Sequence, residues 1–152
     1  MPAIDYFALE EKIREVFQAD SSLNGVEIRV EGEVNFQPGI APWVGIYLDR
    51  RDPSPNQPLA MGFITRYQLR FSIWCWAMSL ESVADAIKSR DQLVSKVELI
   101  AMKDRTFEGV FDMSWLMGGE LPSGRLENES GQAVYLSGGE IILIAELEAS
   151  LD

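Results

Sequence analysis

Apolar residues near the start of the chain recur at helical spacing. Tyr6, Leu9, Ile13, Val16 and Phe17 fall on one side of a helix drawn over Asp5 to Asp20, with Glu10, Glu11, Lys12, Arg14 and Glu15 on the other. Asp5 stands where a carboxylate can accept the free N–H groups of a helix start, and the run from Asp20 to Gly25 supplies stop and turn residues. From Val26 the period drops to two: Val26, Ile28 and Val30 alternate with Glu27, Arg29 and Glu31, the pattern of a half-buried strand. A turn-rich piece, Gln37 to Pro42, leads into Trp43 to Asp49, a strand with few charges that is expected to be central.

Arg50 to Gly62 contains Pro53, Pro55 and Pro58, which predicts a long irregular loop because proline lacks the N–H that a ladder needs. The apolar end of this stretch, Leu59 to Ile64, predicts burial against a partner or the start of the next strand. Tyr67, Leu69, Phe71, Ile73 and Cys75 then alternate with Arg66, Gln68, Arg70, Ser72, Trp74 and Trp76, the clearest strand in the chain. Two tryptophans on its polar side predict a covering helix or loop, or failing that a partner surface. Ser79 is placed to cap a second helix. On it Leu80, Val83, Ala84, Ile87, Val94 and Val97 keep helical spacing, while Asp85, Lys88, Ser89, Arg90 and Gln92 lie elsewhere. Its end is expected between Ser95 and Met102, before a short charged link, Lys103 to Arg105.

The last third returns to alternation. Phe111, Met113, Trp115 and Met117 form one apolar set, Gly118 to Gly131 reads as a polar loop or long hairpin turn, and Ala133 to Leu147 reads as a ladder bent at Gly138-Gly139. The element order predicts one α+β domain over residues 1–152 with a long loop at about 50–64. Its core is an antiparallel or mixed sheet of about five to six strands, with two helices packed on one face. The opposite face then needs loops or another subunit to cover it.

A chain of 152 residues can bury one sizeable core, whereas two cores would each be marginal. No run reaches the roughly 18 consecutive apolar residues that a bilayer crossing needs, and Met1 to Asp5 has neither the basic nor the apolar part of a secretory signal. No membrane partner is therefore expected. The count that changes the picture most is histidine, of which there is none. That removes imidazole-activated serine or cysteine nucleophiles and the commonest ligand for zinc, copper and non-haem iron. The single cysteine, Cys75, lies in an apolar run and reads as a buried thiol. With 13 basic and 24 acidic residues the formal charge is −11, a field that repels polyphosphates. Such a surface suits solubility, or a passage that DNA crosses without adhering.

Gly118-Gly119 and Gly138-Gly139 continue into no nucleotide-binding pattern and read as turns. The charges Asp49-Arg50-Arg51-Asp52 more often pair with one another or face water than hold an anion. Glu27, Glu31 and Glu33 share strand parity, which favours a solvated face over a cation site. Glu146 and Glu148 share a face with no evident acid–base partner. No catalytic, cofactor or metal site emerges, so an enzyme is not expected.

The stretch Pro42-Trp43-Val44-Gly45-Ile46-Tyr47-Leu48, the long loop after it, the alternating strand Arg66 to Trp76, the Ser79-Leu80-Glu81 helix entry and the late strand Glu140 to Glu148 are arranged in a familiar order. The chain resembles the tail terminator proteins of long-tailed bacteriophages and prophages. The resemblance implies a virion protein: a homohexameric ring that caps the head-proximal end of the tail tube, stops tube polymerisation and docks the tail to the head and neck proteins. DNA would pass through its lumen without specific binding. Subunit or tube contacts are expected on the long loop, with Arg50, Arg51, Met61 and Phe63 as candidates; alternatively Met61 and Phe63 close the edge of their own core. Other readings stay open: another phage neck or connector protein, a carboxylate and Mg²⁺-dependent enzyme, or a small acidic inhibitor.

Overall fold

The computed structural model describes residues 4–31, 42–53, 64–127 and 130–150. Helix α1 (Tyr6–Ala19) is capped by Asp5, whose side chain accepts the Ala8 N–H, and a single 3-10 turn (Ser21–Leu23) follows it. Six strands form one sheet: β1 (Glu27–Val30), β2 (Trp43–Pro53), β3 (Ile64–Ser79), β4 (Met113–Gly118), β5 (Ser123–Glu127) and β6 (Ala133–Ser150). Helix α2 (Val83–Lys103) lies between β3 and β4 in sequence. The strand order is β1-β2-β3-β6-β4, with β5 also paired to β6, and every pair is antiparallel except β1 with β2. This is the expected α+β arrangement, with both helices on one face of a mixed sheet.

Ile13 and Phe17 of α1 and Leu93, Val97, Ile100 and Ala101 of α2 pack on the inward residues of four strands. Those residues include Val30, Val44, Ile46, Leu69, Phe71, Ile73, Leu143 and Ala145. The link after α2 closes the space between the helices. Asp104 accepts the Thr106 and Glu108 N–H groups, Phe107, Glu108 and Gly109 all take positive φ, and Phe107 is thereby turned into the core. Phe107 meets Phe17 and Phe111 edge-on, and Phe111 rests on Phe71 at 5.8 Å between ring centroids.

Several local expectations are corrected. Arg50 to Pro53 belong to β2 and pair with Tyr67 to Arg70, so this part of the expected loop is strand; residues 54–63 lie outside the described residues. Proline is tolerated there because Pro53 is the last residue of its strand. Ser82, not Ser79, caps α2, and the helix continues to Lys103. Leu80 and Val83 are consequently exposed, and the buried stripe runs through Ala86, Arg90, Leu93, Val97, Ile100 and Ala101. Gly138-Gly139 makes no bend: both residues sit inside β6, opposite Trp76 and Cys75. The expected loop at Gly118 to Gly131 contains β5, whose five residues are all exposed and give no alternating signal.

Two charged residues lie in the middle of the buried stripes. Glu10, expected on the solvent side, is only 2% exposed, in line with Tyr6, Ile13 and Phe17 on α1. Its carboxyl and that of Glu31 both accept the Leu48 N–H, where β2 has run past the end of β1. Glu31 leaves strand parity through a positive φ of 45°, so it does not join Glu27 on a common face. Burial and a hydrogen bond to Glu31 push the Glu10 carboxyl up to about 8, and its proton bridges the pair.

Because that proton is held in the folded state and released by the unfolded chain, stability falls as pH rises from about 4.5 to about 8. Glu10→Gln keeps one donor and one acceptor. Urea unfolding at pH 5 and pH 8 is expected to show a smaller stability difference for the variant than for the parent; an unchanged difference would remove Glu10 as its source.

Candidate interface: the sheet face away from the helices

Residues directly opposite in paired strands share a face. The helix-free face therefore carries, in successive rows, Trp43-Trp76-Gly138, Gly45-Trp74-Glu140 and Tyr47-Ser72-Ile142-Met117. Next comes Arg50-Arg70-Ile144-Trp115, and then Asp52-Gln68-Glu146-Met113. The apolar set Met113, Trp115 and Met117 thus points away from the helices, contrary to the usual reading of alternation. Between them Ser114 is buried and donates to the Arg105 carbonyl oxygen.

Three indoles form a continuous layer on this face. Trp76 stacks on Trp43 at 6.0 Å and on Trp74 at 5.6 Å between ring centroids. Trp43 is almost closed off, while Trp74 and Trp76 are half-buried. Glycines make room for them: a Cβ on Gly138 would stand 2.6 Å from the Trp76 ring, and one on Gly45 would crowd Trp43 and Tyr47. The cover expected over Trp74 and Trp76 is not a helix, since both helices lie on the other face; much of it is the indole layer itself. Beside the layer opens a cavity of about 580 Å³, lined by Trp43, Tyr47, Trp74 and Trp76 with the carboxylates of Glu31, Asp49 and Glu140. Glu140 accepts from the Ser72 hydroxyl at 2.5 Å and from the Glu120 N–H at 3.4 Å.

On the inner side, Gly139 has a matching role. A Cβ there would meet Val94 and the aliphatic part of Arg90. Arg90, expected away from the apolar stripe, is 6% exposed; its guanidinium donates to Asp91 and to the carbonyl oxygens of Gly138 and Leu121. It ties α2 to β6 and to the link leading into β5. From there the β5 arm presents Leu126 to solvent, and Leu121 beside it is also exposed.

Of the candidate contact residues, Arg50 and Arg51 both follow a bulge at Asp49, where the β2–β3 register shifts. The extra residue sends Arg50 to the helix-free face, paired with Asp52 at 2.7 Å. Arg51 turns to the helix side, with its guanidinium 5.4 Å from the Tyr6 ring centroid, so it supports α1. Met61 and Phe63 lie outside the described residues. Asp49 pairs with Arg70, and Glu148 with Arg66, so most charges here are matched across strands. Cys75 is buried, and desolvation pushes its thiol up. Among the described residues no group of three acidic or cysteine side chains is placed to hold a metal ion, and no helix is long and apolar enough to cross a membrane.

No protein-family model matches the chain, and no curated protein matches it. Among solved structures it is similar to a chain in the virion of a native gene transfer agent particle, at TM-score 0.44 and 12% identity over 90% of this chain and 94% of that one. Nothing about this chain's role follows from a likeness of that size.

Gly138→Val is expected to push Trp76 out of the indole layer, changing the near-ultraviolet circular dichroism and costing about 1–3 kcal/mol in urea unfolding. Gly124→Val is the control, because a Cβ there meets open space. Equal effects of the two substitutions would show that Gly138 is not what seats the layer.

Proposed function

We propose that this chain is a non-enzymatic structural subunit of a phage-like particle, acting as a tail terminator. In this reading it forms a homohexameric ring at the head-proximal end of the tail tube, stops tube polymerisation, and offers a docking face to the neck proteins. The observation that carries the reading is the helix-free sheet face, with Met113 and Met117 about half-exposed along its β4 edge and Leu121 and Leu126 exposed nearby. A run of apolar side chains along one edge is what a subunit contact requires. A ring forms when such a patch meets a different patch on the next copy and the rotation closes. The charge of −11 supports a lumen that DNA traverses without sticking.

Mass measurement of the purified chain, alone and with tail-tube subunits, is expected to give a species of six copies. Met113→Ser with Met117→Ser should abolish that species while changing the stability of the single chain by about 0.5 kcal/mol or less, since both side chains are already half-exposed. A chain that stays monomeric at all concentrations and in the presence of tube subunits would exclude the terminator reading. Rings that fail to bind tube subunits would favour another connector protein instead.

A further inference from the structure

The cavity beside the indole layer has a composition that selects for charge. Its walls are the rings of Trp43, Tyr47, Trp74 and Trp76, whose faces carry negative electrostatic potential. Its rim carries Glu31, Asp49 and Glu140, and ionised carboxylates only accept hydrogen bonds. Arg70 offsets Asp49 at 3.4 Å. Among the described residues the hydrogen bonds to Glu140 come from neutral donors, the Ser72 hydroxyl and the Glu120 N–H, and none comes from a basic side chain. Glu31 meets the Leu48 N–H and the proton of Glu10. A volume of about 580 Å³ is ample for one planar side chain, and stacked indoles favour a flat guanidinium over a compact ammonium.

We infer that this cavity receives an arginine side chain carried by a segment of a different, basic protein. The guanidinium would lie on the face of Trp74 or Trp76 and donate to Glu140. The occupant is assigned to another protein because the acidic rim and the chain's charge of −11 draw in a basic segment, and this chain itself carries 13 basic against 24 acidic residues. The inference does not rest on ring formation: the aromatic walls of the cavity belong to β2 and β3 and its acceptor Glu140 to β6, whereas the proposed subunit contacts are side chains of β4, β5 and the link between them.

The test uses the peptide acetyl-Gly-Arg-Gly-amide and its citrulline counterpart, which keeps the shape but lacks the charge. Both are titrated at low ionic strength and read by the indole N–H signals in nuclear magnetic resonance. The arginine peptide is expected to shift the Trp74 and Trp76 signals saturably and to bind about tenfold more tightly than the citrulline peptide, the size of one desolvated cation–aromatic contact. Binding should weaken as salt is added. Glu140→Gln, which retains an acceptor for Ser72, should remove most of the preference for arginine while leaving the folded spectrum intact. Trp74→Leu should weaken both peptides. Equal binding of the two peptides, or none, would overturn the inference. If arginine binds only the dissociated chain and is excluded when copies associate, a second copy occupies the cavity, and the assignment to a different protein fails.

Discussion

The structure depends on one long ladder. β3 and β6 pair from Ile64↔Ser150 to Ser79↔Tyr135 without a break in register. At about 3.4 Å per residue, strands of this length extend roughly 50 Å. A helix the length of α2 reaches only about 30 Å, and α1 about 20 Å. The helices therefore cover part of one face and none of the other. β2 lengthens the sheet on one side, and β4 with β5 completes β6 on the other, so that the central strands are paired on both edges. Surface that helices would cover in a shorter sheet is left to be closed by side chains of the sheet itself, or by a partner.

The sheet closes its own face by trading side-chain volume between neighbouring strands. Trp76 occupies the space above Gly138, and Trp43 with Tyr47 the space above Gly45. Gly139 does the same on the inner face for Val94 and Arg90. In each case a missing Cβ on one strand admits a large side chain from elsewhere, and the ladder stays straight. A paired glycine inside a strand is ordinarily unfavourable for lack of a side chain to pack, and here the opposite residue supplies the packing.

Glu10 and Arg90 occupy equivalent places in the two helices, each in the centre of an apolar stripe. Each meets backbone groups that the sheet leaves unpaired: Glu10 the Leu48 N–H beyond the end of β1, and Arg90 the carbonyl oxygens of Gly138 and Leu121. A polar side chain buried this way is tolerable only with such partners, since an unsatisfied buried polar group is costly. Together they anchor the helices where the sheet's hydrogen bonding is incomplete. That makes the fold sensitive to pH at α1, where a shared proton is part of the contact.

Periodicity determined the α+β order and the inward set Leu69, Phe71, Ile73 and Cys75; Asp5 marked the capped start of the first helix, and the element order made both helices on one face the economical arrangement. The position of Glu10 and Arg90 was also present in the spacing, because each lies three or four residues from buried or partly buried neighbours on both sides, but their charge argues for solvent until a partner is known. Only the tertiary structure decided the rest. The Asp49 bulge exchanged the faces of Arg50 and Arg51, since a single extra residue reverses strand parity. β5 formed despite a wholly exposed sequence because β6 offered it an unpaired edge, and Gly138-Gly139 stayed in register because Trp76 and Arg90 filled the space. Met113, Trp115 and Met117 turned away from the core for a similar reason. Which face an alternating strand presents is set by its partner's register, and no single strand carries that information in its own residues.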